Sequence, residues 1–117
     1  MVDLNESQRI IQKLLTELHQ NDQSGSDQGV ESQVVFDTEN NHYLLIDVGW
    51  EGKQFIYGTI VHIDIKGDKV WIQRNNTEIN LAERLVERLV ERGIPKQNIV
   101  LGLHSPFMRK ISGYAVS

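Results

Sequence analysis

No cysteine occurs in this 117-residue chain. That single absence excludes disulfide frameworks, thiolate zinc sites and cysteine nucleophiles. It accords with a reducing compartment without requiring one. Long apolar runs are also missing: none approaches the roughly 20 residues needed to cross a bilayer. The N-terminus, MVDLNESQRI, has neither the basic start nor the apolar core of a signal peptide. The expected location is therefore the cytoplasm, with no membrane association. Basic residues are the scarcer sign, 12 Lys and Arg against 16 Asp and Glu, for a net charge of −4. An isolated nonspecific DNA binder needs a basic face to displace counterions, so this balance disfavours that role and leaves only a local patch open.

What is present fits one folded domain spanning 1–117. Hydrophobic residues make up 39% and charged residues 24%, and the length suffices to bury one core without staples. Residues from about Leu4 to Gln20 predict a helix, with Asp3 as cap and Glu6 in capping-box spacing. Leu4, Ile11, Leu15 and Leu18 form its apolar stripe, with Ile10 and Leu14 beside it. A polar connector, NDQSGSDQG, follows at about 21–29 and is expected to be flexible.

A meander comes next. Short strands are expected at Gln33–Phe36 and His42–Val48, with a reversal at Gly49–Lys53. Gln54–Ile65 is a long strand. Its odd positions, Phe55, Tyr57, Thr59, Val61, Ile63 and Ile65, form one nearly apolar face, and its even positions turn polar toward Asp64. KGDK turns the chain into a strand at Val70–Arg74.

A second helix is expected from about Glu78 to Arg92, capped by Thr77 and stopped by Gly93 and Pro95. Its LVER tandem builds two apolar rows, Leu81, Leu85, Leu89 and Ala82, Val86, Val90. A four-residue repeat drifts around a 3.6-residue helix, so one row is free for a partner subunit. In NIVLGLHSPFMRKISGYAVS, GLHSP reads as a turn between two final strands, with Arg109 and Lys110 exposed. The fold class is α+β: two main helices and a mostly antiparallel sheet of about five to six strands.

The chemical constellations are thin. His62 and Asp64 lie two apart on one strand and share a face, while His42 begins the preceding strand. A metal site needs three or four convergent groups and the sequence fixes only this pair, so a partly solvated sheet edge is the preferred reading. His104 beside Ser105 is no triad, since adjacent side chains point apart. No Gly-x-Ser-x-Gly elbow and no phosphate-loop motif occurs. Arg109 and Lys110 fit a solvated strand start better than a phosphate contact. Trp50, placed in a turn, either anchors an interface or folds back onto the sheet. No catalytic, cofactor-binding or metal residue is assigned, and no cofactor is expected. The candidate interaction surface comprises Trp50, His62, Asp64, Leu89, Val90, His104, Arg109 and Lys110.

Three stretches in order, FDTENNHYLLIDVGW, YGTIVHIDIKGDKVWIQRNNTE and GIPKQNIVLGLHSP, resemble the XisI family, described as the fdxN element excision controlling factor. The resemblance runs from the first helix to the terminal GYAVS. It departs in the LVER tandem, which adds about one helical turn, and in the polar connector. It implies a cyanobacterial-type α+β protein linked to programmed excision of a DNA element, with a separate recombinase doing the cutting. It also implies a XisH-like companion protein. No catalytic residues carry over from it.

The expected function is a non-enzymatic accessory factor acting in DNA recombination through protein contacts. Two alternatives stand beside it. One is a DNA-binding accessory using Arg109, Lys110 and Arg74. The other is an enzyme with a site around His62, Asp64 and His104. A homo-oligomer is expected, most simply a two-fold dimer burying on the order of 1,200 Å² or more, with Leu89 and Val90 in the contact.

Overall fold

Asp3 starts the first helix as its composition suggests. Its Oδ1 accepts from the Glu6 backbone N–H at 2.7 Å, so one of the unpaired donors of the first turn is satisfied. The helix, α1, runs Leu4–Asn21. The computed structural model describes residues 3–21, 29–76 and 79–117. The connector expected at 21–29 and the Thr77 cap thus fall largely outside the described residues.

Five strands follow in a single sheet of order β1-β2-β3-β4-β5. They are β1 (Val30–Asp37), β2 (His42–Glu51), β3 (Gln54–Lys66), β4 (Lys69–Asn75) and β5 (Ile99–Val100). β1 to β4 form an antiparallel meander. The second helix, α2 (Ile79–Glu91), connects β4 to β5, which pair in parallel. A parallel neighbour needs such a crossover. The fold is α+β with a mixed, mostly antiparallel sheet of five strands, and the strand–helix–strand unit β4–α2–β5 supplies a parallel pair that the sequence pattern did not demand.

The ends of α2 follow the stop signals. Gly93 has φ 117°, its N–H reaches Val90 O at 3.1 Å, and the Ile94 N–H reaches Leu89 O at 3.0 Å. This pair of bonds is a Schellman closure, which needs a residue that tolerates positive φ. Ile94 and Leu89 are both buried against the same core.

α1 and α2 cover one face of the sheet. Ile11, Leu14 and Leu15 of α1 meet Tyr43, Leu45, Val61, Ile63 and Ile72 of the strands. The described residues of both apolar rows of α2 join them. Leu85 and Leu89 are buried, Val86 is 9% exposed, and Val90 packs against the cluster. The expectation that one row would serve a partner is corrected for the C-terminal half of α2, where Leu85 and Leu89 of one row and Val86 and Val90 of the other all pack on the core. Leu89 is therefore a core residue, and Val90 is partly buried against the same core. Glu17 of α1 and Arg92 at the end of α2 form an ion pair that ties the two helices together.

Two more corrections concern turns. The strand β2 continues through Gly49 and Trp50, and the reversal is the two-residue turn Gly52–Lys53 between paired Glu51 and Gln54. Trp50 is thus a strand residue facing Phe55. Gly49 has φ 144°, and a Cβ there would lie 2.0 Å from Gly29 O, so this crossing with the start of β1 requires glycine.

At the C-terminus, β5 leads through a turn into a short helix, α3 (Pro106–Lys110). Ser105 caps it by accepting from Met108 N, and Pro106 sits at its first position. No second strand closes a hairpin; Ala115 makes only an isolated parallel bridge to Val100.

Candidate functional site on the open sheet face

The sheet face away from α1 and α2 collects the residues that the core does not explain. Strand register sets them in rows. Asp37, His42, Asp64 and Trp71 are consecutive partners across β1 to β4. The next row is Val35, Leu44, His62 and Arg74. At the far end of the β2–β3 hairpin, Trp50 pairs with Phe55, and Val48 with Tyr57.

A bulge makes this arrangement. Leu45 pairs with Val61 but Ile46 pairs with Thr59, so Ile60 has no partner. One extra residue reverses which face the side chains of a strand take. Val61, Ile63 and Ile65 are buried under the helices, while Phe55 and Tyr57, odd positions of the same strand, are exposed on the opposite side. The expected single apolar face of β3 is therefore split in two. The same bulge carries His42 into register with Asp64. Without it, the Glu51–Gln54 pairing would continue to His42 against Ile63, which would bring the apolar Ile63 to the open face beside the histidine and turn Asp64 toward the helices.

The result is a cluster. His42 Nδ1 lies 2.7 Å and His62 Nε2 2.8 Å from the same oxygen, Asp64 Oδ1. Gln73 Nε2 donates to the other oxygen, Oδ2, at 3.3 Å. Gln73 is itself the extra residue of a second irregularity, since Ile63 pairs with Ile72 and His62 with Arg74. Asp64 is 7% exposed and His42 is an exposed residue, so the cluster is a buried carboxylate beneath an accessible ring. An ionised carboxylate only accepts, so each ring turns an N–H toward it. Burial, the largest influence, raises the Asp64 carboxyl. The hydrogen bonds from His42 and His62, the charge of His62 and the Gln73 amide together outweigh it and hold the group below the ordinary carboxylate range.

The C-terminal segment closes one edge of this face. A Cβ on Gly102 would lie 2.4 Å from Gln73 Oε1 and 3.0 Å from Trp71 Cε3, so the chain packs directly on both. Arg109 lies over the Trp71 ring, 5.2 Å from its centroid. Its guanidinium donates to the carbonyls of Leu101, His104 and Gly102. The expectation of a freely exposed Arg109 is corrected: three inward carbonyls at a strand-to-helix turn need a donor, and Arg109 supplies it. Lys110 is exposed. His104 is exposed too, and borders a cavity of about 420 Å³ with Val86, Leu101 and Tyr114. It does not join the histidine–aspartate cluster.

The aromatic row lies at the other end of the same face. Trp50 and Phe55 stand 5.2 Å apart between ring centroids, and Phe55 and Tyr57 6.4 Å apart and nearly parallel. They are 57%, 50% and 74% exposed. Simple alternation places Phe55 and Tyr57 on the core side, and the bulge turns them to the open face. His42 and Gln73 join the cluster only through the two irregularities, which alternation does not reveal.

A five-stranded mixed sheet backed by two helices on one face, with the other face largely open, defines a small α+β class. The chain belongs to the XisI family: the family model described as XisI protein matches residues 1–116. Among solved structures, it is similar to a XisI-like protein from Anabaena variabilis ATCC 29413 at 43% identity and a TM-score of 0.85. That match covers 98% of this chain and 100% of that one. It is also similar to the fdxN element excision controlling factor XisI from the same organism, at 25% identity and a TM-score of 0.82. There the coverage is 97% and 98%. No curated protein matches. Among the described residues, no helix is long and apolar enough to cross a membrane.

Proposed function

We propose that this chain is a non-enzymatic accessory factor in the control of DNA-element excision, acting through protein contacts that begin with a second copy of itself. The relative described as an excision controlling factor supplies the process. The observation that carries the mode of action is the exposed row Trp50, Phe55 and Tyr57 on the sheet face away from α1 and α2. Clustered aromatic side chains are what the centre of an interface is made of. The hairpin and strand around the row hold both signs of charge, Glu31 and Glu51 against Lys53, all exposed. Such a rim can match itself across a two-fold axis, as an isologous contact requires. A XisH-like companion chain is the further partner.

The DNA-binding alternative is the weaker reading. Arg109 is engaged by three carbonyls, and Arg74 Nε donates to Thr59 O at 2.6 Å. That leaves Lys110 as the remaining member of the expected basic patch. A low-salt gel shift with the purified chain is expected to show no retardation.

Light scattering at micromolar concentration tests the contact. The native chain is expected at twice its monomer mass. A Trp50→Ser, Tyr57→Ser double variant is expected at the monomer mass with an unchanged melting curve. A monomeric native chain overturns the self-association, as does a double variant that still dimerises.

A further inference from the structure

We infer that His42, His62 and Asp64 form a binding site for a divalent transition-metal ion of the zinc class. This goes beyond the protein-contact reading and does not rest on it. The three donor atoms, one from each residue, lie within 4.8 Å of one another. Two imidazoles and one carboxylate are a donor set that suits zinc, cobalt or nickel, and that poorly suits magnesium or calcium, which prefer oxygen. Tetrahedral coordination with bonds near 2.1 Å places donors about 3.4 Å apart. The present 2.7 and 2.8 Å separations from Asp64 Oδ1 need to open by less than about 1 Å to reach that geometry. On binding, each ring moves the proton it now directs at Asp64 to its other nitrogen, which frees a lone pair for the metal, and the solvent-facing side of His42 gives its ring room to turn.

The surroundings are built as a ligand shell would be. Asp64 is a buried carboxylate in a sheet, where an isolated charge is costly and is met by partners or a metal. Gln73 holds Oδ2 and so fixes which oxygen points at the rings. Gly102 leaves the space that the Gln73 amide occupies. An outer group that orients a ligating carboxylate is a regular feature of protein metal sites. Three protein donors leave at least one coordination position for water or for a group brought by a partner.

The test uses the full, untagged chain, with zinc binding followed by calorimetry and cobalt binding by its visible absorption. The native chain is expected to bind one zinc ion and to give a cobalt spectrum of nitrogen and oxygen ligation. His62→Ala and Asp64→Asn should each lose at least about 100-fold in affinity. Gln73→Ala should lose about 10-fold, as outer-shell changes do. His104→Ala, outside the cluster, should bind as the native chain does. If Asp64→Asn fails to fold, His62→Gln decides in its place. Zinc affinity in the native chain no greater than in a folded His62 variant overturns the site and leaves the trio a hydrogen-bonded cluster only.

Discussion

The two faces of this sheet are built from the same strands under different rules. Toward α1 and α2, the strands present Tyr43, Leu45, Val61, Ile63, Val70 and Ile72, all buried. On the other side they present Asp37, His42, Asp64, His62, Trp71 and, farther along, Trp50, Phe55 and Tyr57. The first set is explained by burial alone, since removing apolar area from water stabilises the fold at roughly 25 cal/mol per Å². The second set gains little from folding. An exposed aromatic row and a carboxylate shared by two imidazoles add little to a core. Their placement therefore points to binding, whereas the first set points only to stability.

The largest effect that separates the faces comes from Leu89→Glu. Leu89 has no exposed surface, so the variant buries an unpaired carboxylate at a cost of about 5 kcal/mol or more, comparable to the whole stability of a small domain. Far-UV circular dichroism is expected to show no cooperative native fold. A soluble, folded monomer would instead place Leu89 in an interface, and the core assignment would fail.

A sharper comparison uses one strand. Ile63 and Tyr57 are both odd positions of β3, but the Ile60 bulge separates their faces. Ile63→Ala is expected to cost about 2–5 kcal/mol in urea unfolding, the range for a buried aliphatic truncation. Tyr57→Ser should stay within about 0.5 kcal/mol for the monomer, as surface changes do. Equal costs would mean that both positions face the core and that the bulge is misplaced.

The smallest effect lies between the helices that cover the buried face. Arg92 holds the Glu17 carboxyl below its ordinary value, first through its hydrogen bond and then, against a smaller desolvation cost, through its charge. A carboxyl depressed by folding contributes stability that is present above its unfolded value. That contribution is lost as pH falls through the depressed folded value, below about 4.5. Both side chains are about a third exposed, so solvent screening keeps the contribution under about 1 kcal/mol. Glu17→Gln should flatten that part of the stability curve below pH 4.5 and lower the plateau slightly above it. An unchanged acid limb would remove the pair from the account of stability.

Much of the helical layer was legible from local chemistry. The cap at Asp3, the Gly93 and Pro95 stop and the periodicity of Ile11, Leu14 and Leu15 each act within one or two turns, so a reader of the chain has all the relevant atoms in view. The α3 helix was legible as well. Ser105 followed by Pro106 is a cap residue before the favoured first-position proline, but GLHSP was read as a hairpin turn instead.

Of the site, His62 and Asp64 were legible as a pair because strand alternation is local. His42 was not, because its partner depends on the register of a hairpin 22 residues long in sequence separation. That register is shifted by Ile60, and although Gly58 is a residue type that often accompanies a bulge, it does not fix which residue is the extra one.

The sequence by itself determined the start of α1, the end of α2, the meander, the turn at Gly67, and the acidic, cysteine-free character of the molecule. Only the tertiary structure decided which side of the sheet each half of β3 would face, that Leu85, Val86, Leu89 and Val90 of α2 would all pack on the core, and that Arg109 would turn inward onto three carbonyls. The physical reason is range. Capping, periodicity and turn chemistry are settled by neighbours a few residues away. The side a strand residue faces is settled by a count of residues along the whole ladder, and one unpaired residue in that count places His42 beside Asp64 and leaves Phe55 and Tyr57 in solvent.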